Sequence, residues 1–431
     1  MKVIVIGCGL LGISTAFMLR KRGCAVTVLE RASAPAQETS YANGGLLVPS
    51  MAEPWNAPGV LRQLLRSWLG NNEALRVHPS ALPGLMGWGA KFFHESSEAR
   101  WRANTLKNVR LAMYSQRVLE TVRTEINLKF DYRACGALKV FRDERTLERA
   151  WRQAKWLELN GGIPSSRLTG RESVSMEPAL VNVASNIEGG IYYPLDAVAD
   201  ARGYCEALAE FLKSTDADLQ FGARVLDLKL SGGRITSVVT DKGTFFADSF
   251  VLAAANSSRE LTRKLGFDLP IRPAKGYSLT LEETNSPSIP KLPIIDDATH
   301  AVVVPLRRGL RVAGVAEFAG MDLAIPAERI AYLQRLLGSV FPEFARDEVL
   351  SRGETWTGLR AMSADGVPIL GPTQIENLFL NTGHGHLGWT MAAGSGQAVA
   401  DLIAGDRPTV DLADYHLARF YSGIARESRP W

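Results

Sequence analysis

The chain has 431 residues, 46% of them hydrophobic and 22% charged, with a formal net charge of +4. Such a length accommodates two or three domains with sizeable cores, and so small a charge with no basic run argues against a nucleic-acid surface. Four cysteines, Cys8, Cys24, Cys135 and Cys205, stand far apart with no CxxC or metal-ligand spacing, so they are expected to be reduced thiols, which points to the cytoplasm.

The first element runs from Val3 to Glu30 and reads VIVIGCGLLGISTAFMLRKRGCAVTVLE. An apolar strand ends at Ile6, a glycine turn follows, and Leu10, Leu11, Ala16, Phe17 and Leu19 mark a helix before the alternating strand around Val26 and Val28. Gly7 lets the backbone turn off the strand, Gly9 clears space for a pyrophosphate, and Gly12 lets the helix pack closely on the sheet. The helix start near Leu10 and Leu11 offers free N–H groups to phosphate. Glu30, 18 residues past Gly12, stands where an acidic side chain meets the ribose hydroxyls of an adenosine. The 17 uncharged residues from Val3 to Leu19 also suit a signal peptide or membrane anchor, but the glycines interrupt them and a spanning helix wants about 20 apolar residues.

Residues 33–60 carry Pro35, Gly44, Gly45, Pro49, Pro54 and Pro58 and read as loop. From Val60 to Leu69 the apolar residues share one helical face, and Arg62, Arg66 and Trp68 allow either packing on a core or docking on a membrane surface. Helical stretches follow at about 105–125 and 144–160. From Leu219 to Ala253 short β-runs are separated by the Ser231-Gly232-Gly233 and Lys242-Gly243 turns, a meander returning to the first lobe. Tyr277 to Glu282, Ala301 to Pro305 and Leu310 to Val315 alternate as strands of a second sheet, the last two joined by a hairpin at Arg307-Arg308-Gly309. Leu378 opens a final strand, a glycine loop spans Thr382 to Gly388, and a helix runs from about Met391 to Ala404 with Thr390 as its expected N-cap and Gly405 as its stop. The expected fold is α/β: a Rossmann-like lobe with a parallel sheet, from residues 1–60, 165–260 and 350–431, and a second lobe with a mainly antiparallel sheet and helices, from 61–164 and 261–349.

Five blocks in order, VIVIGCGLLG with Glu30-Arg31, ETSYANGG from Glu38, KGYSLTL from Lys275, WTGLRAMSADGVPILG from Trp356 and NTGHGHLGWTMAAGSGQ from Asn381, carry a resemblance over essentially the whole chain. The sequence resembles the flavin-dependent D-amino-acid oxidase and dehydrogenase superfamily, most closely its D-amino acid dehydrogenase small-subunit type. The resemblance implies FAD as cofactor; the glycines alone do not separate FAD from NAD, although Glu30 disfavours NADP. On that likeness Ile6, Gly7, Gly9, Leu10, Leu11 and Gly12 would border the pyrophosphate, with Glu30 and Arg31 at the adenosine ribose. Ser40, Ala42, Asn43, Gly44, Gly45 and Leu46 would follow the ribityl chain and isoalloxazine edge. Val225 and Ala254 would border the adenine lobe, and Gly385, His386, Leu387, Gly388, Trp389 and Thr390 would face the pyrimidine side of the flavin.

At the substrate end the resemblance gives Arg360 to the substrate carboxylate, and a guanidinium suits that planar group because it presents two parallel donors. Tyr277 is a candidate second donor or a buried strand tyrosine, and Lys275 a flavin neighbour or a solvated strand end. Ala361 departs from the proline usual after GLR. His384 and His386 lack the acidic or cysteine neighbours of a metal site, so none is expected. The implied reaction is oxidative deamination of a D-amino acid to a 2-oxo acid and ammonia by hydride transfer to flavin N5, with electrons passed to a quinone or other carrier. A D-hydroxyproline or sarcosine-type secondary amine dehydrogenase and a non-catalytic flavin-binding electron-transfer subunit are the alternatives. A location in the cytoplasm, with possible peripheral contact to the membrane, accompanies this reading.

Overall fold

Alternation within the first strand decides how the first lobe is layered. In Lys2–Ile6, Val3 and Val5 enter one apolar core and Ile4 and Ile6 another, so the strand is covered on both faces, as parallel strands usually are. The computed structural model describes residues 1–62, 75–282 and 289–421, and most of the segment expected to be helical between Val60 and Leu69 lies outside the described residues. The first sheet has the order Asp218–Phe221, Ala25–Glu30, Lys2–Ile6, Ser249–Leu252, Leu378–Thr382 and Ile369–Pro372, all parallel except the last strand. Helices Leu10–Lys21, Glu98–Glu125, Ala201–Lys213 and Gly388–Ala404 contribute to the core on one face. A three-stranded antiparallel sheet, Val225–Ser231, Arg234–Thr240 and Gly243–Phe245, shares the core on the other.

The second sheet runs in the order Glu354–Ser363, Ile271–Leu281, Gly309–Phe318, Ala301–Leu306, Ile294–Asp296, Ala137–Phe141, Gly189–Tyr193 and Ser166–Thr169, with Leu75–Val77 beside Gly309–Phe318. It is mainly antiparallel, and the Arg307-Arg308 hairpin joins its strands where Leu306 pairs with Gly309. Helix Ala327–Val340 packs Leu333, Leu336 and Leu337 into the core on one face of it.

Strand pairing and packing depart from the expected division between the lobes at several places. Strands Ser166–Thr169, Gly189–Tyr193 and Glu354–Ser363 belong to the second sheet, and helix Glu98–Glu125 packs with the first lobe. Strand membership is set by pairing partners far away in sequence, which a local pattern does not contain. The final helix also begins earlier than expected, at Gly388, so Leu387 is its N-cap and Thr390 lies within its first turn. Gly405 ends it in the left-handed conformation, φ +85°.

Candidate active site

At the carboxyl ends of the parallel strands lies a cavity of about 340 Å3, lined by Ile6, Gly7, Gly9, Glu30, Arg31, Ser40, Val225 and Ala254 among others. Its floor is backbone. A Cβ on Gly12 would stand 1.9 Å from the Gly7 carbonyl oxygen, and one on Gly7, whose φ is +106°, would stand 2.7 Å from that of Ala253. Gly9 caps helix Leu10–Lys21 with no side chain of its own, and the Leu10 N–H donates instead to Ser40 Oγ at 3.2 Å. Both oxygens of Glu30 accept backbone N–H groups, from Cys8 at 2.7 Å and Ala32 at 2.8 Å, which fixes the carboxylate while each oxygen keeps a lone pair for a ribose hydroxyl. Burial raises the pKa of Glu30 against the pull of those two bonds. Arg31 pairs with Glu38 at 2.5 Å, and both stand on the cavity wall. A clear backbone approach, a helix N-terminus and a fixed carboxylate fit the adenosine diphosphate end of FAD.

Residues 39–46 carry this cavity towards the second sheet. Pairing of Ala274 with Arg360 and Gly276 with Gly358 puts residues 274, 276 and 278 on one face of that sheet with 356, 358 and 360. From this face Ser278 Oγ donates to the Ala42 carbonyl at 2.7 Å, and Arg311 Nη1 to the Asn43 carbonyl at 2.9 Å. The Asn43 side chain accepts from the Gly45 N–H at 3.0 Å, and Gly45 takes the left-handed conformation, φ +66°. Leu46 pairs with Val198 as the loop becomes strand, and a Cβ on Gly44 would lie 3.7 Å from Val302.

Arg360 stands on the same face, on the edge strand Glu354–Ser363. Its Nη1 donates to the Val315 carbonyl at 3.2 Å, and its guanidinium carbon lies 5.5 Å from the Trp55 ring. Trp55 stacks on His386 at 5.4 Å, and His386 Nε2 donates to the Met51 carbonyl at 3.1 Å. Arg360 has no ion pair among the described residues. Burial unopposed by any acidic neighbour lowers its pKa to about 10. A guanidinium still charged at neutral pH and lacking a counter-ion is a ready-made receptor for an anion. The C-terminal glycine loop reaches this place through a bridge between Met362 and His384, where Gly385 takes φ +58°.

Burial pushes His384 down to about 3 and His386 down to about 4, so both rings are neutral near pH 7. Other expected residues are placed elsewhere. Tyr277 pairs with Thr357, which puts it on the face opposite Arg360, where its hydroxyl donates to Glu317 Oε2 at 2.5 Å. Lys275 shares that face and donates to Asp322 at 2.8 Å, so it is neither a solvated strand end nor turned to the Arg360 face. Trp389 points into the first core and donates to the Ala199 carbonyl at 2.8 Å, and Thr390 Oγ1 accepts from the Val48 N–H at 3.0 Å. Leu387 is buried at the helix start beside Gly388. Trp55, Ser278 and Arg311 were not singled out by sequence. Ser278 and Arg311 leave a trace as polar residues inside apolar strands, while Trp55 sits in a loop and leaves none.

Fold and site together define an FAD-dependent oxidoreductase. The chain matches the model of the DAO family, described as FAD dependent oxidoreductase, over residues 2–402, and it belongs to that family. It is 37% identical over 420 residues to the D-amino acid dehydrogenase of Rhizorhabdus wittichii, covering 97% of this chain and 100% of that one. The D-amino acid dehydrogenase of Vibrio atlanticus is 37% identical over 421 residues, again covering 97% of this chain and 100% of the relative. In fold the protein is similar to glycine oxidase from Geobacillus kaustophilus, with TM-score 0.75, 21% identity and coverage of 97% of this chain and 98% of that chain. L-Proline dehydrogenase from P. horikoshii is similar as well, with TM-score 0.73, 20% identity and 97% of each chain covered.

Proposed function

We propose that the protein is a D-amino acid dehydrogenase that converts D-amino acids to 2-oxo acids and ammonia and delivers the electrons to a quinone or other carrier. The observation that carries this reading is Arg360: a half-buried cation with no carboxylate paired to it among the described residues, on the sheet face that holds the loop from Ser40 to Leu46. Ile6, Gly7, Gly9, Leu10, Leu11, Gly12, Glu30 and Ser40 would hold the dinucleotide, and Asn43, Gly44, Gly45, Gly385 and His386 would border the flavin. When bound, FAD supplies the two-electron acceptor for oxidation at the substrate's α-carbon. The chain's own residues bind and orient. Arg360 fixes the carboxylate by two parallel N–H donors, and Trp55 and His386 wall the space beside it. Neither histidine carries charge above about pH 5, so neither serves as an electrostatic partner for the carboxylate. The names of the curated relatives support the D-amino acid as substrate.

The test is anaerobic bleaching of the flavin by D-alanine, L-alanine, D-proline, cis-4-hydroxy-D-proline, sarcosine and glycine. D-Alanine is expected to bleach and L-alanine not. Bleaching by the secondary amines alone would replace the proposal with a secondary amine dehydrogenase, and no bleaching by any of them would leave a non-catalytic flavin subunit. Peripheral contact with a membrane belongs to the same reading. Leu82, Met86 and Phe93 are exposed on helix Leu82–His94, whose Gly84 and Leu85 line a cavity with exposed Met321, and no helix among the described residues is long and apolar enough to cross a membrane. Co-sedimentation with anionic vesicles is expected, and a protein that stays in the supernatant removes the idea.

A further inference from the structure

We propose that Val315 is a positioning residue for the substrate carboxylate, acting through Arg360; this rests on the reading of Arg360 given above. Strands Ile271–Leu281 and Gly309–Phe318 pair antiparallel, but their register slips between Lys275 opposite Glu317 and Tyr277 opposite Gly314. Gly276 therefore faces two residues, Val315 and Ala316, which is a β-bulge. The left-handed position of such a bulge ordinarily belongs to glycine, yet Val315 occupies it with φ +65°. A β-branched residue adopts that conformation only when its surroundings impose it. Here the surroundings are the core around Tyr277, Leu279 and Val312, into which the Val315 side chain is buried.

That strain has a use. With its side chain anchored in the helix-covered core, Val315 presents its carbonyl to the opposite face, where it accepts from Arg360 Nη1 at 3.2 Å. Among the described residues it is the one protein acceptor within hydrogen-bond reach of Arg360. Across the bulge, Gly276 supplies the room: a Cβ there would stand 2.4 Å from Nη1 and 2.5 Å from Nη2 of the same guanidinium. One backbone acceptor and one missing side chain thus fix the fork, and the remaining N–H groups are left for a carboxylate. Two residues with no polar side chain set where the carboxylate must lie.

Flavin-loaded protein titrated with propionate, an unreactive carboxylate read by its perturbation of the flavin spectrum, tests this. Val315→Gly keeps the conformation accessible but removes the anchor, and Gly276→Ala fills the room; each is expected to weaken propionate about five- to tenfold, with flavin content unchanged. In an Arg360→Lys background, which keeps the charge and loses the fork, neither substitution should weaken propionate further, an effect that general loosening of the sheet would not give. The proposal is overturned if Val315→Gly and any folded Gly276→Ala protein bind propionate within twofold of wild type, or lose the same factor in the Arg360→Lys background. Should Gly276→Ala fail to fold, Val315→Gly decides alone. If Arg360→Lys itself binds propionate as tightly as wild type, the reading of Arg360 has failed instead.

Discussion

The cavity at the head of the parallel sheet is made of backbone, whereas the Arg360 face of the antiparallel sheet is made of side chains. In the first, Gly7, Gly9 and Gly12 act by what they lack, and the side chains of Glu30 and Ser40 are themselves bound to backbone N–H groups. In the second, Arg360, Trp55 and His386 come from three distant segments and are placed by Val315, Gly276 and Met51. The difference is one of tolerance: a backbone pocket fails when anything is added, and a side-chain pocket fails when something is removed or turned.

The largest effect expected from this contrast is at Gly12. Gly12→Ala places a methyl group 1.9 Å from the Gly7 carbonyl oxygen, a contact that only movement of the turn relieves, and overpacking of this kind costs about 1–3 kcal/mol or more. The purified variant should come off gel filtration without most of its FAD, as measured by the ratio of flavin to protein absorbance. A variant as yellow as wild type would mean that the close fit of helix to turn does not hold the dinucleotide.

The first of these regions was legible because it is contiguous. Strand, glycines, helix and carboxylate all lie between Val3 and Glu30, and each restricts the next through local geometry. The C-terminal strand, loop and helix were legible for the same reason, apart from a helix start displaced to Gly388. Arg360 and the loop from Ser40 to Leu46 were reachable through family resemblance. Nothing local in the sequence tells that Tyr277 and Arg360 point to opposite sides, because that depends on the register of two strands about 80 residues apart. Trp55 was missed because its role depends on a ring stacked with His386 from the far end of the chain.

A medium effect distinguishes the two faces of the antiparallel sheet. Tyr277 donates to Glu317 within the core covered by helix Ala327–Val340, so Tyr277→Phe should cost about 1–3 kcal/mol of stability by leaving a buried carboxylate short of a donor. Its apparent KM should stay within about threefold of wild type, since a group that never meets the substrate gives up no binding when removed. Urea unfolding and steady-state kinetics measure the two quantities. A loss of substrate affinity of about tenfold or more, with stability unchanged, would return Tyr277 to the substrate's side.

The narrowest effect is confined to pH. Asp196 is 1% exposed and accepts from Ser50, from its N–H at 3.3 Å and its hydroxyl at 2.5 Å. Burial, reinforced by the charge of Glu53 and opposed by the Ser50 bonds, pushes its carboxyl up to about 7. The ordinary aspartate value is about 3.9, so the folded state holds this proton more tightly than the unfolded chain does. The stability Asp196 contributes is therefore complete below about pH 4 and is lost as the pH rises through about 7. Asp196→Asn should be the more stable protein at pH 8, by on the order of 2–4 kcal/mol, with the advantage shrinking towards pH 5. Urea unfolding of the flavin-loaded proteins at the two pH values reads the difference, and parallel behaviour at both would show that the buried carboxyl titrates as it does in the unfolded chain. Ser50 precedes Met51, whose carbonyl accepts from His386, so the tightening of the Ser50 bonds when Asp196 ionises is passed to the ring that stacks on Trp55 beside Arg360. On this account a change in substrate KM accompanies the loss of stability as the pH climbs through 7, and Asp196→Asn removes both together.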